Sequence, residues 1–141
     1  MIQQLSIIIQ NKIGSVAKVT SILKNNNINL RAIASFDTPE FAILRMVVDQ
    51  PEKTKTLLTD KGYAVTMSEA IAVELCDRPG VLHDLLQIIA DADIGLNYIY
   101  SIVIRNSKVP LIILNTDNLE KTKAILEEKG YTVAGQEDVV L

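Results

Sequence analysis

The sequence is poor in the residues that build disulfides, metal sites and nucleic-acid interfaces. One cysteine in 141 residues excludes a disulfide framework within the chain, and one histidine leaves few ligands for a metal. Six aromatic residues and a net charge of −3 disfavour base stacking and phosphate attraction. We therefore expect no cofactor, no metal site and no nucleic-acid partner.

Long apolar segments and secretion signals are missing as well. No apolar run approaches the roughly 20 residues that a membrane span needs. The start, MIQQLSIIIQNK, has neither a basic lead nor a small-residue cleavage site, which indicates that it is not a signal peptide. These features predict a cytoplasmic protein without a membrane partner.

What the sequence does contain is an internal repeat. Gly14 matches Gly80 at an offset of 66 residues. Further along the chain the offset is 68, as the recurrence of EKTK at 52–55 and 120–123 shows. The change of offset indicates that two residues were inserted in the second copy, most simply in the RNSK turn (105–108). A repeat that keeps its register across a short insertion predicts two equivalent structural units.

Each copy reads strand, helix, strand, strand, helix, strand. In the first, β-rich runs at 5–9, 28–36 and 41–48 predict strands, and AVTM (64–67) predicts a closing strand just before IAVEL (71–75). The tail GQEDVVL predicts an extra strand or a frayed end. Pro51 suits a helix start and Gly62 a helix end. Apolar spacing predicts a helical stripe at Val16, Val19, Thr20 and Leu23, matched by Leu82, Leu85, Leu86 and Ile89.

This order of elements is the ferredoxin-like plan. We predict an α+β fold of two βαββαβ units, residues 1–69 and 70–141, each an antiparallel sheet with its helices on one face. Units of about 70 residues are marginal alone. The run YIYSIVI (98–104) is apolar on both strand faces. We therefore expect the repeats to pack together and the chain to form a homodimer.

A polar residue, a glycine and a helix start form a corner in each copy, NKIGSV (11–16) and DRPGVL (77–82). The free N–H groups of a helix start favour a carboxylate, and a neighbouring Asn or Asp oxygen can accept from an ammonium group. The corner therefore suits an amino-acid zwitterion. An Asn or Asp that only caps the helix is the structural alternative.

The doubled unit with its [DN]-x-x-G corner resembles ACT domains, the regulatory amino-acid-binding modules. Residues 77–82 reproduce the D/N-R-P-G-V-L corner of that family, and residues 11–16 keep its polar residue, basic residue, glycine and valine. The resemblance implies a site between paired domains that adds an Asn at the start of the second strand. Asn29 matches this position, whereas Gly95 does not and Asn97 lies two residues on. The implied ligand-binding residues are Asn11, Ile13, Gly14, Ser15, Val16 and Asn29, with Asp77, Pro79, Gly80, Val81 and Leu82.

The resemblance implies a regulatory sensor without catalytic residues, which binds a free amino acid and signals to a separate enzyme of amino-acid metabolism. One alternative is an assembly module with non-functional pockets. Another is an acylphosphatase-like hydrolase using Arg78, which Asp77 disfavours because it would repel a phosphate. We expect His83 to be exposed and Cys76 to be at least half-buried.

Overall fold

The computed structural model describes residues 1–102 and 109–140. The chain divides into a first unit, Gln3–Ser68, and a second unit, Glu69–Val139; Met1–Ile2 group with the second and Val140 with the first. The first unit contains β1 (Ile2–Gln10), α1 (Ser15–Asn25), β2 (Leu30–Asp37), β3 (Phe41–Val48), α2 (Pro51–Asp60) and the start of β4 (Ala64–Glu74). The second contains the rest of β4, α3 (Val81–Asp91), β5 (Leu96–Ile102), β6 (Leu111–Thr116), α4 (Leu119–Glu128), β7 (Val133–Ala134) and α5 (Gln136–Val140).

Both units have the strand order of the ferredoxin-like plan. In the first, the order is β2-β3-β1-β4, with β3 antiparallel to both β1 and β2. In the second, it is β7-β4-β6-β5, and each pair is again antiparallel. The predicted fold class, two βαββαβ units with antiparallel sheets, is confirmed.

Each unit buries one face of its sheet under its two helices. In the first, Val19 and Leu23 of α1 and Leu58 of α2 join the core with alternate residues of β1 and β3, such as Ile7 and Leu44. The equivalent core of the second unit contains Leu85 and Ile89 of α3, Leu126 of α4, and Ile71, Val73 and Leu114 of its strands. The helical stripe is thus confirmed at its buried centre, whereas Val16 and Leu82 at its start are exposed.

The two-residue insertion appears directly in the pairing of the strands. Phe36 pairs with Ile43 in the first unit, and its repeat equivalent Ile102 pairs with Leu111. Ile102 lies 66 positions after Phe36, whereas Leu111 lies 68 positions after Ile43. The β5–β6 connection is therefore two residues longer than the β2–β3 connection. The RNSK turn that we assigned to this insertion lies outside the described residues.

Two stretches differ from the sequence prediction. β4 is one continuous strand, Ala64–Glu74, where two short strands were expected. No glycine or proline interrupts this segment, so nothing in it favours a turn. The tail forms the short helix α5, so the predicted extra strand is wrong. Asp138 accepts from the Gly135 N–H at 2.8 Å, which is half of a capping box.

A buried hydroxyl pair in the second unit supports a stability prediction. The Thr116 and Thr122 hydroxyl oxygens lie 2.7 Å apart, and Thr122 donates to the Asn118 carbonyl at 2.8 Å. Thr122→Val should lower the free energy of unfolding by about 1–2 kcal/mol, because it leaves the buried Thr116 hydroxyl without its partner. Urea denaturation measures this difference.

The first unit supplies the control for this experiment. Val48 occupies the place of Thr116 there, and Thr54, the equivalent of Thr122, still donates to the Gln50 carbonyl at 2.7 Å. Thr116→Val copies that arrangement and should change the free energy of unfolding by less than about 0.5 kcal/mol. Equal losses from the two variants would contradict this account.

Candidate functional site

A four-residue turn joins β1 to α1 and forms the first corner. Gly14 precedes the helix with φ of +84°, and Gly80 holds the same place before α3 with φ of +87°. Glycine adopts this conformation without steric cost, which explains its presence in both copies. A Cβ added at either position would meet no atom within 4 Å, so the space over each glycine is open.

The first corner leaves several backbone donors unused. Ser15 N–H donates to the Lys12 carbonyl at 3.2 Å, and the corner's earlier N–H groups, those of Asn11 and Lys12, also have acceptors. Within residues 1–102 and 109–140, the N–H groups of Ile13, Gly14, Val16 and Ala17 have no acceptor. Unpaired donors at a helix start, together with the helix dipole, favour a carboxylate.

The second corner repeats this pattern. Val81 N–H donates to the Arg78 carbonyl at 3.4 Å, whereas the N–H groups of Gly80, Leu82 and His83 have no acceptor in the described part of the chain. Proline occupies the place of Ile13 and has no N–H. The two corners therefore differ at this position, where the first has an N–H group and the second has none.

Neither polar corner residue caps its helix. The Asn11 side-chain amide donates to the Thr38 carbonyl at 2.9 Å, which ties the corner to the β2–β3 turn. Its Oδ1 has no partner among the described residues, so it is available as an acceptor. Asp77 is exposed, and no side chain caps α3. The capping alternative is therefore wrong for both residues.

Asn11 and Asn29 lie at opposite ends of the first sheet. Asn11 follows Gln10, which pairs with Phe41, whereas Asn29 precedes Leu30, which pairs with Val48. Seven residues of β3 separate these pairs, about 24 Å along the strand. One unit therefore cannot present both asparagines to the same small ligand.

The Asn29 position is built differently in the second unit. In the first, the Asn29 N–H donates to Asp49 Oδ1 at 3.0 Å, and the asparagine side chain is exposed. In the second, a Cβ at Gly95 would lie 2.8 Å from Asp117 Oδ2. Asn97 does not take the place of Asn29 in this unit, because the Asn97 side chain donates to Asn115 Oδ1 at 2.8 Å.

A concave pocket of about 510 Å³ lies on the helix side of the first corner. Ile13, Gly14 and Ser15 line it, but Asn11, Val16 and Asn29 do not. Its other walls come from distant segments that sequence reasoning missed: Ile8, Ile9, Gln10, Lys12, Lys18, Ile22, Lys61, Gly62 and Tyr63. For the last three of these residues, the repetition of KGY in the sequence was the signal.

The second unit has an equivalent pocket of about 380 Å³. Of the predicted site residues of that copy, Val81 lines this pocket, whereas Asp77, Pro79, Gly80 and Leu82 do not. Tyr131 takes the place of Tyr63, and both tyrosines pack against the core of their unit. The duplicated sequence therefore yields a duplicated pocket.

The remaining reactive side chains do not form a site. His83 is exposed, as expected, but Cys76 is exposed too, so the expectation of a buried thiol is wrong. No group of three His, Cys, Asp or Glu side chains that could hold a metal occurs in the described residues. Among these same residues, no helix is long and apolar enough to cross a membrane.

The two units and their open corners define a class of protein, a tandem pair of ferredoxin-like modules with a strand–helix corner in each. A family model described as an ACT domain pair matches residues 1–140. The chain belongs to this family. Comparison with curated protein sequences gives no match.

Solved structures agree with this assignment. Protein BT0572 from Bacteroides thetaiotaomicron is similar to the chain with a TM-score of 0.89 and 30% identity, over 98% of this chain and 94% of that one. The regulatory subunit of aspartate kinase from Thermus thermophilus, in its ligand-free form, is similar with a TM-score of 0.65 and 18% identity, over 91% and 92%. The same subunit from Thermus flavus gives 0.64 and 17%, over 89% and 90%. The last two similarities show a shared fold.

Proposed function

We propose that this protein is a non-catalytic regulator that binds a free amino acid at its first corner and signals to a separate enzyme. One observation carries the proposal: the same corner contains the unused N–H groups of Ile13, Gly14, Val16 and Ala17 and an Asn11 oxygen without a partner among the described residues. Donors for a carboxylate next to an acceptor for an ammonium group match an amino-acid zwitterion. We assign residues 1–69 and 70–141 to the two ACT domains.

The separation of Asn11 and Asn29 favours a site shared by two chains. Because these side chains lie at opposite ends of one sheet, a ligand that contacts both takes Asn11 from one chain and Asn29 from another. We therefore propose a homodimer with the ligand at its interface. A ligand that bridges two chains stabilises one arrangement of the pair over others, which is the differential affinity that a regulatory signal requires.

An exposed apolar patch gives this dimer a contact surface. We call the sheet face opposite α1 and α2 the outer face of the first unit. Cross-strand pairing places Ile8, Ile43 and Phe36 in one row there, next to Phe41. Ile8, Phe36 and Phe41 are between 38% and 53% exposed. A contiguous patch of large apolar side chains is typical of an interaction surface, and we propose a second copy as its occupant.

Calorimetric titration with each of the twenty amino acids tests the function directly. We expect one amino acid, or a few related ones, to bind with a stoichiometry that fits a site shared within a dimer. An assembly module with non-functional pockets predicts twenty flat traces instead. Flat traces from correctly folded protein would contradict the proposed function.

Asn11→Ala should weaken binding of that amino acid about tenfold, because it removes the oxygen that accepts from the ligand's ammonium group. Asn11→Asp keeps an oxygen there and copies Asp77, so it should retain affinity within about threefold. Titration calorimetry measures both. Asn25→Ala, the same change on the exposed end of α1, is the control. Equal affinity of Asn11→Ala and the wild type for the amino acid would show that Asn11 is not part of the binding site.

A further inference from the structure

The pocket beside the first corner gathers three lysines from three segments. Lys12 lies in the corner, Lys18 in α1 and Lys61 just after α2, and all three line the cavity of about 510 Å³. We call it the lysine pocket. Its described lining contains no Asp or Glu. All three side chains are exposed, and three positive charges around one pocket create a positive local potential, which favours an anionic ligand.

The pocket lysines lack the structural role of other lysines in the chain. Lys53 Nζ donates to the Asn26 carbonyl at 3.1 Å, and its repeat equivalent Lys121 donates to the Ala92 carbonyl at the same distance. The three pocket ammonium groups have no hydrogen bond or ion pair with any described residue. They are therefore available to a ligand.

The second unit shows that the fold does not require the positive charge of Lys18. Its equivalent pocket has the same position beside the corner, but Asp84 replaces Lys18 and Glu74 replaces Ile8. Arg78 takes the place of Lys12 in this pocket, and Lys129, the repeat equivalent of Lys61, directly precedes the lining residues Gly130 and Tyr131. The second copy therefore keeps a positive charge at two of the three positions, and the third positive charge, Lys18, is specific to the lysine pocket.

We infer that the lysine pocket binds a small organic dianion. Two clustered negative charges, as in a phosphate monoester or a dicarboxylate, would neutralise most of the lysine charge. Ile22 and Tyr63 line the same cavity and offer apolar and aromatic surface for the body of the ligand. Asn11 and Asn29 do not line it, whereas the corner residues Ile13 and Gly14 do, so this pocket adjoins the proposed amino-acid site and differs from it in its lysines.

Three probes with the same ring and different heads test this inference. Phenyl phosphate and phenylsuccinate carry a dianionic head, whereas benzoate carries a single charge. In calorimetric titrations at constant ionic strength, at least one dianion should bind, at least tenfold more tightly than benzoate. Binding of phenyl phosphate alone identifies a phosphate site, binding of phenylsuccinate alone a dicarboxylate site, and binding of both a general dianion site; each supports the inference.

Charge-removing variants assign the binding to the pocket. Lys18→Gln and Lys61→Gln should each weaken binding of the dianion about fivefold, and the double variant about 25-fold. Lys55→Gln makes the same change on the exposed face of α2, outside the pocket, and should have no effect. Lys18 and Lys55 lie in helices, where glutamine has a propensity close to that of lysine, and Lys61 is exposed after α2, so these variants should fold.

Three results would overturn the inference: no binding of either dianion, equal binding by the double variant and the wild type, or an equal loss in Lys55→Gln. The twenty amino acids are titrated separately into the double variant. Retained amino-acid binding with lost dianion binding separates the two sites. If no amino acid binds the wild type but the dianion result holds, the proposed function fails and this inference stands.

Discussion

Phe36→Glu should dissociate the proposed dimer, weakening self-association by about a hundredfold or more. Phe36 lies with Ile8 and Ile43 in the exposed row of the outer face, so contact with a second copy would bury the new carboxylate among apolar side chains. Burial of an unpaired charge costs several kcal/mol. The monomer tolerates the change, because the Arg45 guanidinium lies 5.2 Å from the Phe36 ring and can approach a carboxylate there. Sedimentation velocity over a range of concentrations measures the effect.

Ile33→Glu is the matched control for this experiment. Ile33 lies on the same strand and is 42% exposed, but it pairs with Met46 and so lies on the opposite face of the sheet. This variant should remain dimeric. A wild type that is monomeric at high micromolar concentration, or equal dissociation of both variants, would exclude the outer face as the dimer interface.

The fold was predictable because two features of the sequence reveal the repeat. The alternation of apolar residues predicts the strands, and the change of offset from 66 to 68 predicts the longer second hairpin. The pairs Phe36–Ile43 and Ile102–Leu111 confirm that difference in length. Position-by-position matching of two copies provides an internal check that a single copy lacks.

The errors in the fold arose where tertiary structure decides between local alternatives. The β4 segment contains Glu69 and Ala70, residue types that are depleted in strands, and hydrogen bonding to neighbouring strands keeps them in one continuous strand. The tail is apolar enough for a strand, but the hydrogen bond from Gly135 N–H to Asp138 starts a helix instead. Cys76 is exposed because it lies beyond the end of β4, which sequence alternation does not specify.

The candidate site was predictable at its corners and not beyond them. A glycine before a helical stripe predicts a turn with positive φ and unused N–H groups, and Gly14 and Gly80 both have them. The distance between Asn11 and Asn29 depends on strand direction, because parallel β1 and β2 place the end of one strand far from the start of the other. The lysine pocket depends on packing of α1 and α2, which brings together residues that are distant in sequence.

Gly14→Ala should weaken binding of the amino acid about a hundredfold, the largest binding effect that we expect from one methyl group. The new Cβ would occupy the open space over the corner, where the ligand carboxylate must approach the unused N–H groups. The φ of +84° also strains an alanine, so the free energy of unfolding should fall by about 1–2 kcal/mol. Calorimetric titration measures the first effect and urea denaturation the second.

Gly130→Ala is the control that distinguishes the backbone strain of Gly14→Ala from its steric block of the ligand. Gly130 has φ of +90° and open space for a Cβ, as Gly14 does, but it follows α4 in the second unit. Its replacement should lower the free energy of unfolding by a similar amount and leave amino-acid affinity unchanged. If both variants lose stability and neither loses affinity, the backbone of the first corner does not hold the carboxylate. The zwitterion would then have to bind away from this corner.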